Sequence, residues 1–169
     1  DISKRFRVGL SSIFSNVETN WGSGSVISEA VNQSPLGLPY DANGEIIFLP
    51  ISDGIRSNPL SELVPGKRVD ERKTNRVFSS IYLDVNILDG LKYKFLLGQD
   101  AQFYERGIFE GQYTNTRKNG TPYGSIEKAK DIGYTLENLL TYNKTFGQHA
   151  VGATFLQSVA QQNFTTSDM

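Results

Sequence analysis

The sequence predicts an all-β chain of antiparallel up-and-down strands, and three observations point there. Long runs alternate apolar and polar residues with a period of two, the repeat of a strand whose successive side chains point to opposite faces. Connections between these runs are long, short, long, short. The longest unbroken aliphatic or aromatic run is about Ile46–Leu49, far short of the roughly 20 residues a spanning helix needs.

The first run, about 4–16, places Phe6, Val8, Leu10 and Phe14 on one parity and Arg5, Arg7, Gly9 and Ser11 on the other. Periodicity then disappears over 17–74, a stretch rich in Gly, Ser, Asn and Pro and too long for an ordinary connection. Within it, Ser25–Val31 reads as a short helix, and Asp41-Ala42-Asn43-Gly44 as a turn leading into Glu45–Pro50.

Strands over about 75–88 and 91–105 form the central hairpin. Val77, Ser79, Ile81, Leu83, Val85 and Ile87 share one face of the first; Leu91, Tyr93, Phe95, Leu97, Ala101 and Phe103 share one face of the second. Cross-strand partners lie on the same face, so a two-residue Asp89-Gly90 loop, which sets Ile87 against Lys92, fails on parity. A loop over 88–90 with Gly90 left-handed succeeds. It sets Val85 opposite Tyr93, Leu83 opposite Phe95 and Asp84 opposite Lys94.

A second polar connection spans 106–130. A strand over about 131–143 follows, with Ile132, Tyr134, Leu136, Leu140 and Tyr142 on its apolar parity. A turn at 145–148 leads to a last strand, about 149–162, carrying Val151, Ala153, Phe155 and Val159.

Composition narrows the function classes. The formal net charge of −1 argues against a nucleic-acid partner. The absence of cysteine removes disulfides, thiolate metal sites and a cysteine nucleophile. Eight Tyr and ten Phe against one Trp and one Met suit strands. With neither an initiating Met nor a signal segment, the sequence is expected to start within a longer protein or after processing.

Strands that alternate in this way, joined by tight turns at one end and long loops at the other, match a transmembrane β-barrel. Phe6, Tyr93, Phe103, Tyr134 and Tyr142, near strand ends, fit its aromatic girdles. In such a wall Arg76, Asp84, Lys92, Lys94, Asp100 and Glu137 face the lumen, where they pair, line a solute path or contact a plug. The alternative is a soluble extracellular glycan-binding β-sandwich, in which the same residues form a solvated face. It requires extra strands from the loops and two inner faces packed together. A structural surface protein is a third reading.

Four stretches carry a family resemblance: Ser34-Pro35-Leu36-Gly37-Leu38-Pro39-Tyr40-Asp41-Ala42-Asn43-Gly44, then Asn58-Pro59-Leu60, then Ile87-Leu88-Asp89-Gly90-Leu91-Lys92-Tyr93, and Tyr134-Thr135-Leu136-Glu137-Asn138-Leu139-Leu140-Thr141-Tyr142 with Asn143-Lys144-Thr145-Phe146-Gly147. In combination they resemble part of the barrel of SusC/RagA-type TonB-dependent outer-membrane transporters. The resemblance implies a segment of a barrel of about 22 strands, with long extracellular loops and short periplasmic turns. It implies a Gram-negative outer membrane, with lipid and lipopolysaccharide around the wall. A SusD-like surface lipoprotein, drive through TonB, a dimer of transporter–lipoprotein pairs, and uptake of oligosaccharides or peptides also come with it. The plug and the TonB box are expected outside these residues.

Catalysis finds little support. His149, the one histidine, sits beside a turn, and no serine has an evident base partner. Asp41, Asn43 and Glu45 space oxygens in the manner of a calcium loop, but the remaining EF-hand positions are missing; a turn capped by its own Asp and Asn is the alternative. No cofactor is expected. The loop aromatics Trp21, Tyr40, Tyr113 and Tyr123 are the candidate substrate-binding residues, because rings on loops held by a rigid scaffold commonly carry recognition.

Overall fold

The computed structural model describes residues 5–51 and 54–169, so the expected first strand residue, Lys4, lies outside the described residues. β1 (Phe6–Asn20), β2 (Arg68–Leu88), β3 (Leu91–Glu110), β4 (Tyr123–Phe146) and β5 (His149–Asp168) form one sheet in chain order. This is the up-and-down topology the spacing of turns predicts.

Every strand runs past the end its hydropathy pattern suggests. β2 starts at Arg68 instead of 75, β3 continues to Glu110, β4 starts at Tyr123 instead of 131, and β5 continues to Asp168. Arg68-Val69-Asp70-Glu71-Arg72-Lys73 carries charge on both parities. A strand that carries charge on both parities keeps its backbone pairing but loses its hydropathy alternation, which is why the added lengths escape a periodicity reading.

The first hairpin keeps the register that parity requires, since Arg68 of β2 pairs with Glu110 of β3, even with even; the second turn is tighter than expected. Between β2 and β3 only Asp89 and Gly90 lie outside the strands, and Gly90 has φ 83°, the left-handed conformation that the parity argument requires. Between β4 and β5 only Gly147 and Gln148 remain, with Gly147 at φ 62°, where a turn over 145–148 is expected from sequence.

The chain divides into two compact units. The first comprises Asp1–Asn16, Thr74–Tyr104 and Ala129–Thr166, and holds both tight turns. Side-chain contacts confirm its two faces. On the apolar parity Ser12 pairs with Ser79 (2.9 Å), Asn16 donates to Asn75 (2.7 Å), Tyr93 donates to Asn138 (2.5 Å) and Tyr134 to Gln161 (2.6 Å). On the polar parity Arg76 pairs with Asp100, Gln162 donates to Asp131 (2.9 and 2.8 Å), and Tyr82 lies so close to Gly9 that a Cβ there would overlap the ring.

No sandwich core forms among the described residues. They make a single sheet, Leu10 and Phe155 are 72% and 67% exposed, and Ala101, at 5%, is the only buried apolar residue among them. A water-soluble sandwich buries one face of each sheet against another. This sheet leaves its apolar side bare, the arrangement of a wall that meets a nonaqueous neighbour.

The second unit comprises Val17–Lys73, Glu105–Lys128 and Ser167–Met169, and holds both long connections. A helix, α1 (Val26–Val31), and a 3₁₀ turn, Pro59–Leu63, pack together in it. Buried Asn58 ties the loop together. Its amide donates to the carbonyls of Pro39 (2.8 Å) and Ile47 (2.9 Å), its Oδ1 caps the 3₁₀ turn by accepting from the Leu60 N–H (3.1 Å), and its own N–H donates to Phe48 (2.7 Å). One asparagine thereby satisfies backbone groups from three separate segments, the need any buried loop must meet.

Candidate functional site

Two regions of the polar parity bear the expected chemistry. In the first unit, Arg76 and Asp100 line a cavity of about 690 Å³ with Ser80, Asp131, Thr135 and Gln162. A second cavity in that unit is lined by Asp84, Lys92, Lys94, Arg7 and Thr141. Five of the six residues expected to face a lumen thus line two concave surfaces. Glu137 lies on the same β4 parity as Thr135 and Thr141, half-buried. Lys94 reaches over the Tyr82 ring, 5.7 Å from its centroid, one position diagonal to Asp84.

The second unit continues the polar parity of β2 and β3 as a charge network. Asp70 is buried and accepts from two arginines at once: Arg106 Nε (2.9 Å) and Nη2 (2.7 Å), and Arg72 Nε (3.2 Å) and Nη2 (3.4 Å). The Arg106 hydrogen bonds outweigh burial and, with Arg72, hold the Asp70 carboxyl well below the usual carboxylate range. Nearby in that unit, Glu110 accepts from Arg68 Nη1 (3.0 Å) and Arg117 Nε (3.1 Å). Buried Glu62 accepts from the Asn115 N–H and lies 4.0 Å from Arg68. The two-point contacts of Arg106 and Arg72 on Asp70 fix orientation as well as charge.

The four loop aromatics occupy different settings in this unit. Trp21 follows β1, its N–H bonded to the Asp70 carbonyl (2.9 Å), with the Arg72 guanidinium 4.2 Å from its ring centroid. Tyr123 opens β4 with the Arg117 guanidinium 4.5 Å from its centroid. Tyr113 packs edge-on against Phe48 (5.6 Å), with Lys67 at 5.8 Å. Tyr40 forms a β-bridge with Ile46.

The Asp41 turn has the capped form. Asp41 Oδ1 accepts from the N–H groups of Asn43 (2.8 Å) and Glu45 (2.9 Å), and no group of three metal-ligating side chains occurs among the described residues. Asp41 thereby spends one carboxylate oxygen on the backbone of its own turn. His149 is exposed at the first position of β5.

Sequence reasoning singled out the rings but not their arginines. Arg72, Arg106, Arg117, Asp70 and Glu110 lie in segments with no hydropathy period, and only the three-dimensional pairing of β2 with β3 brings them together.

No protein-family model matches the chain. It is 31% identical, over 161 residues and 88% of its length, to TonB-dependent receptor P3 of Formosa agariphila, of which it spans 16%. Its fold matches a structure of the RagAB peptide importer in the closed-closed state, with a TM-score of 0.54, 15% identity, 99% of this chain and 20% of that one covered. A second structure, of the RagAB peptide transporter, gives 0.53 and 14% over the same shares.

Proposed function

Since this chain carries the sequence and fold of a segment of a TonB-dependent receptor, we propose that it is part of the wall of an outer-membrane importer of the SusC/RagA type. In this reading the first unit crosses the bilayer. The second forms the extracellular loops and the strand extensions that carry them. The protein takes up oligosaccharides or peptides with a SusD-like surface lipoprotein, and TonB drives it through a region outside these residues. The wall breaks no bonds. It shields its backbone by continuous pairing, turns an apolar face to lipid, and keeps a charged face on the solute side.

One observation carries the reading. Among the described residues no second layer covers the apolar side of the sheet in the unit that holds both tight turns, while the unit holding both long connections is tied together by buried polar groups. That division is expected where the bilayer ends part-way along a set of strands. About 10 residues of tilted strand cross it, and strands of about 20 residues rise well beyond.

Fractionation of cells that make the full-length protein tests the proposal. It should sediment with the outer membrane, require detergent for release, and migrate faster on gels before boiling than after. Recovery in buffer without detergent refutes it.

A further inference from the structure

We infer that Trp21 and Tyr123 are stacking platforms for sugar rings, each backed by an arginine that a carboxylate holds in place. The inference rests on the import reading above and selects oligosaccharide over peptide as the solute.

The second unit builds one motif twice. Trp21 is stacked by Arg72, Arg72 is held by Asp70, and Asp70 is held by Arg106. Tyr123 is stacked by Arg117, Arg117 is held by Glu110, and Glu110 is held by Arg68. The order is ring, arginine, carboxylate, arginine in both. Arg68, Asp70 and Arg72 on β2, and Arg106 and Glu110 on β3, all occupy even-numbered positions, the parity of the polar face.

A ring that serves only to fill its loop is covered by it. These are not: Trp21 is 54% exposed and Tyr123 43%. A guanidinium occupies one face of each ring and fixes its orientation, so a ligand meeting the free surface does not have to immobilise the side chain.

The chemistry of that surface favours a sugar. With a cation already against the ring, a second cation is repelled, which disfavours lysine, arginine or an amino terminus. The C–H-rich face of a pyranose carries no charge and suits an amphipathic ring. Peptides commonly bind by adding a strand to a free sheet edge. β2, β3 and β4 are interior strands, and the Trp21 N–H is already bonded to Asp70.

The purified full-length protein in detergent, probed with a microarray of plant, algal and animal oligosaccharides beside an equimolar peptide library, tests this. Wild type should capture glycans. Trp21→Ala or Tyr123→Ala should weaken capture roughly tenfold, the worth of one stacked ring. Trp21→Phe and Tyr123→Phe should largely restore it. Trp21 is the only tryptophan in this sequence, and the emission difference between wild type and Trp21→Phe isolates its response to the captured glycan. Unchanged capture by both alanine variants, capture of peptides alone, or no capture overturns the inference. Fractionation keeps the two readings apart. If the wild type sits in the outer membrane and the alanine variants still bind glycan, only the platforms fall; if it is absent from the membrane, the import reading falls.

Discussion

The two units of this chain solve the same problem, keeping a sheet and its connections ordered, with opposite materials. The first is read almost entirely from an alternation of apolar and polar residues, and its apolar side is bare. Its side-chain hydrogen bonds are few and sit among neighbours such as Ser12 and Ser79. The second has little alternation, and its buried side chains among the described residues are polar: Glu29, Ser57, Asn58, Ser61, Glu62, Asp70, Glu110 and Thr114. One unit depends on what surrounds it and the other on its internal hydrogen bonds. On the import reading, the difference teaches that exposed apolar surface is not a defect of this fold but marks the part that would meet lipid.

The largest effect should come from placing charge on the bare face. Leu83 lies on the apolar parity of β2, six positions before the Asp89-Gly90 turn, which at about 3.3 Å per residue and a tilt near 45° sets it close to mid-bilayer. Leu83→Arg should cost about 2–4 kcal/mol in refolding into lipid vesicles, while Asp84→Asn, one residue away on the polar parity, should change stability far less. Similar tolerance of both removes the contrast between the faces.

A charge in the lipid face leaves the second unit's own ties intact; Asn58→Ala tests those. It strands the Ile47 carbonyl and the Leu60 N–H, leaves the Pro39 carbonyl with the Ile47 N–H alone, and should cost about 2 kcal/mol locally. Hydrogen exchange should quicken across residues 37–64 and stay unchanged in the β2–β3 and β4–β5 hairpins. Exchange that quickens everywhere denies that the two units are independently held.

The smallest effect is confined to acid. The folded state lowers the Asp70 pKa, so the clamp contributes fully above the ordinary aspartate value of about 3.9 and loses that contribution as pH falls toward the lower folded value. Thermal unfolding in detergent should be flat with respect to this group from pH 7 to about 5 and decline below about 4. Asp70→Asn should remove that limb. An unchanged acid limb in the variant assigns it to other carboxylates.

These contrasts also explain what sequence does and does not disclose. Val77 to Ile87 and Leu91 to Phe103 disclose both strands, their faces and the left-handed Gly90, because one parity of each is apolar and the other mostly polar. Arg68 to Lys73 and Arg106 to Glu110 are strand too, yet one side of each carries a charge network in place of apolar residues, so no hydropathy period is written. The polar-face residues Arg76 and Asp100 were found from parity alone. The Asp70 and Glu110 clamps were not, since a charged residue in an aperiodic stretch looks the same whether it is solvated or held by two arginines. Trp21 and Tyr123 were singled out as rings on loops; that each rests on an arginine follows only from the pairing of distant segments.

The central claim is that odd-numbered side chains of β2 in the first unit touch lipid and even-numbered ones touch water. This sequence has no cysteine, so once any cysteine outside these residues is replaced by serine, single cysteines placed in turn from Val77 to Ile87 report without background. With the full-length protein in vesicles, probes at odd positions should be quenched by brominated lipid and probes at even positions by a water-soluble quencher, in a period of two along the strand. Odd-position probes that are quenched from water, or that respond to neither quencher, would contradict the account.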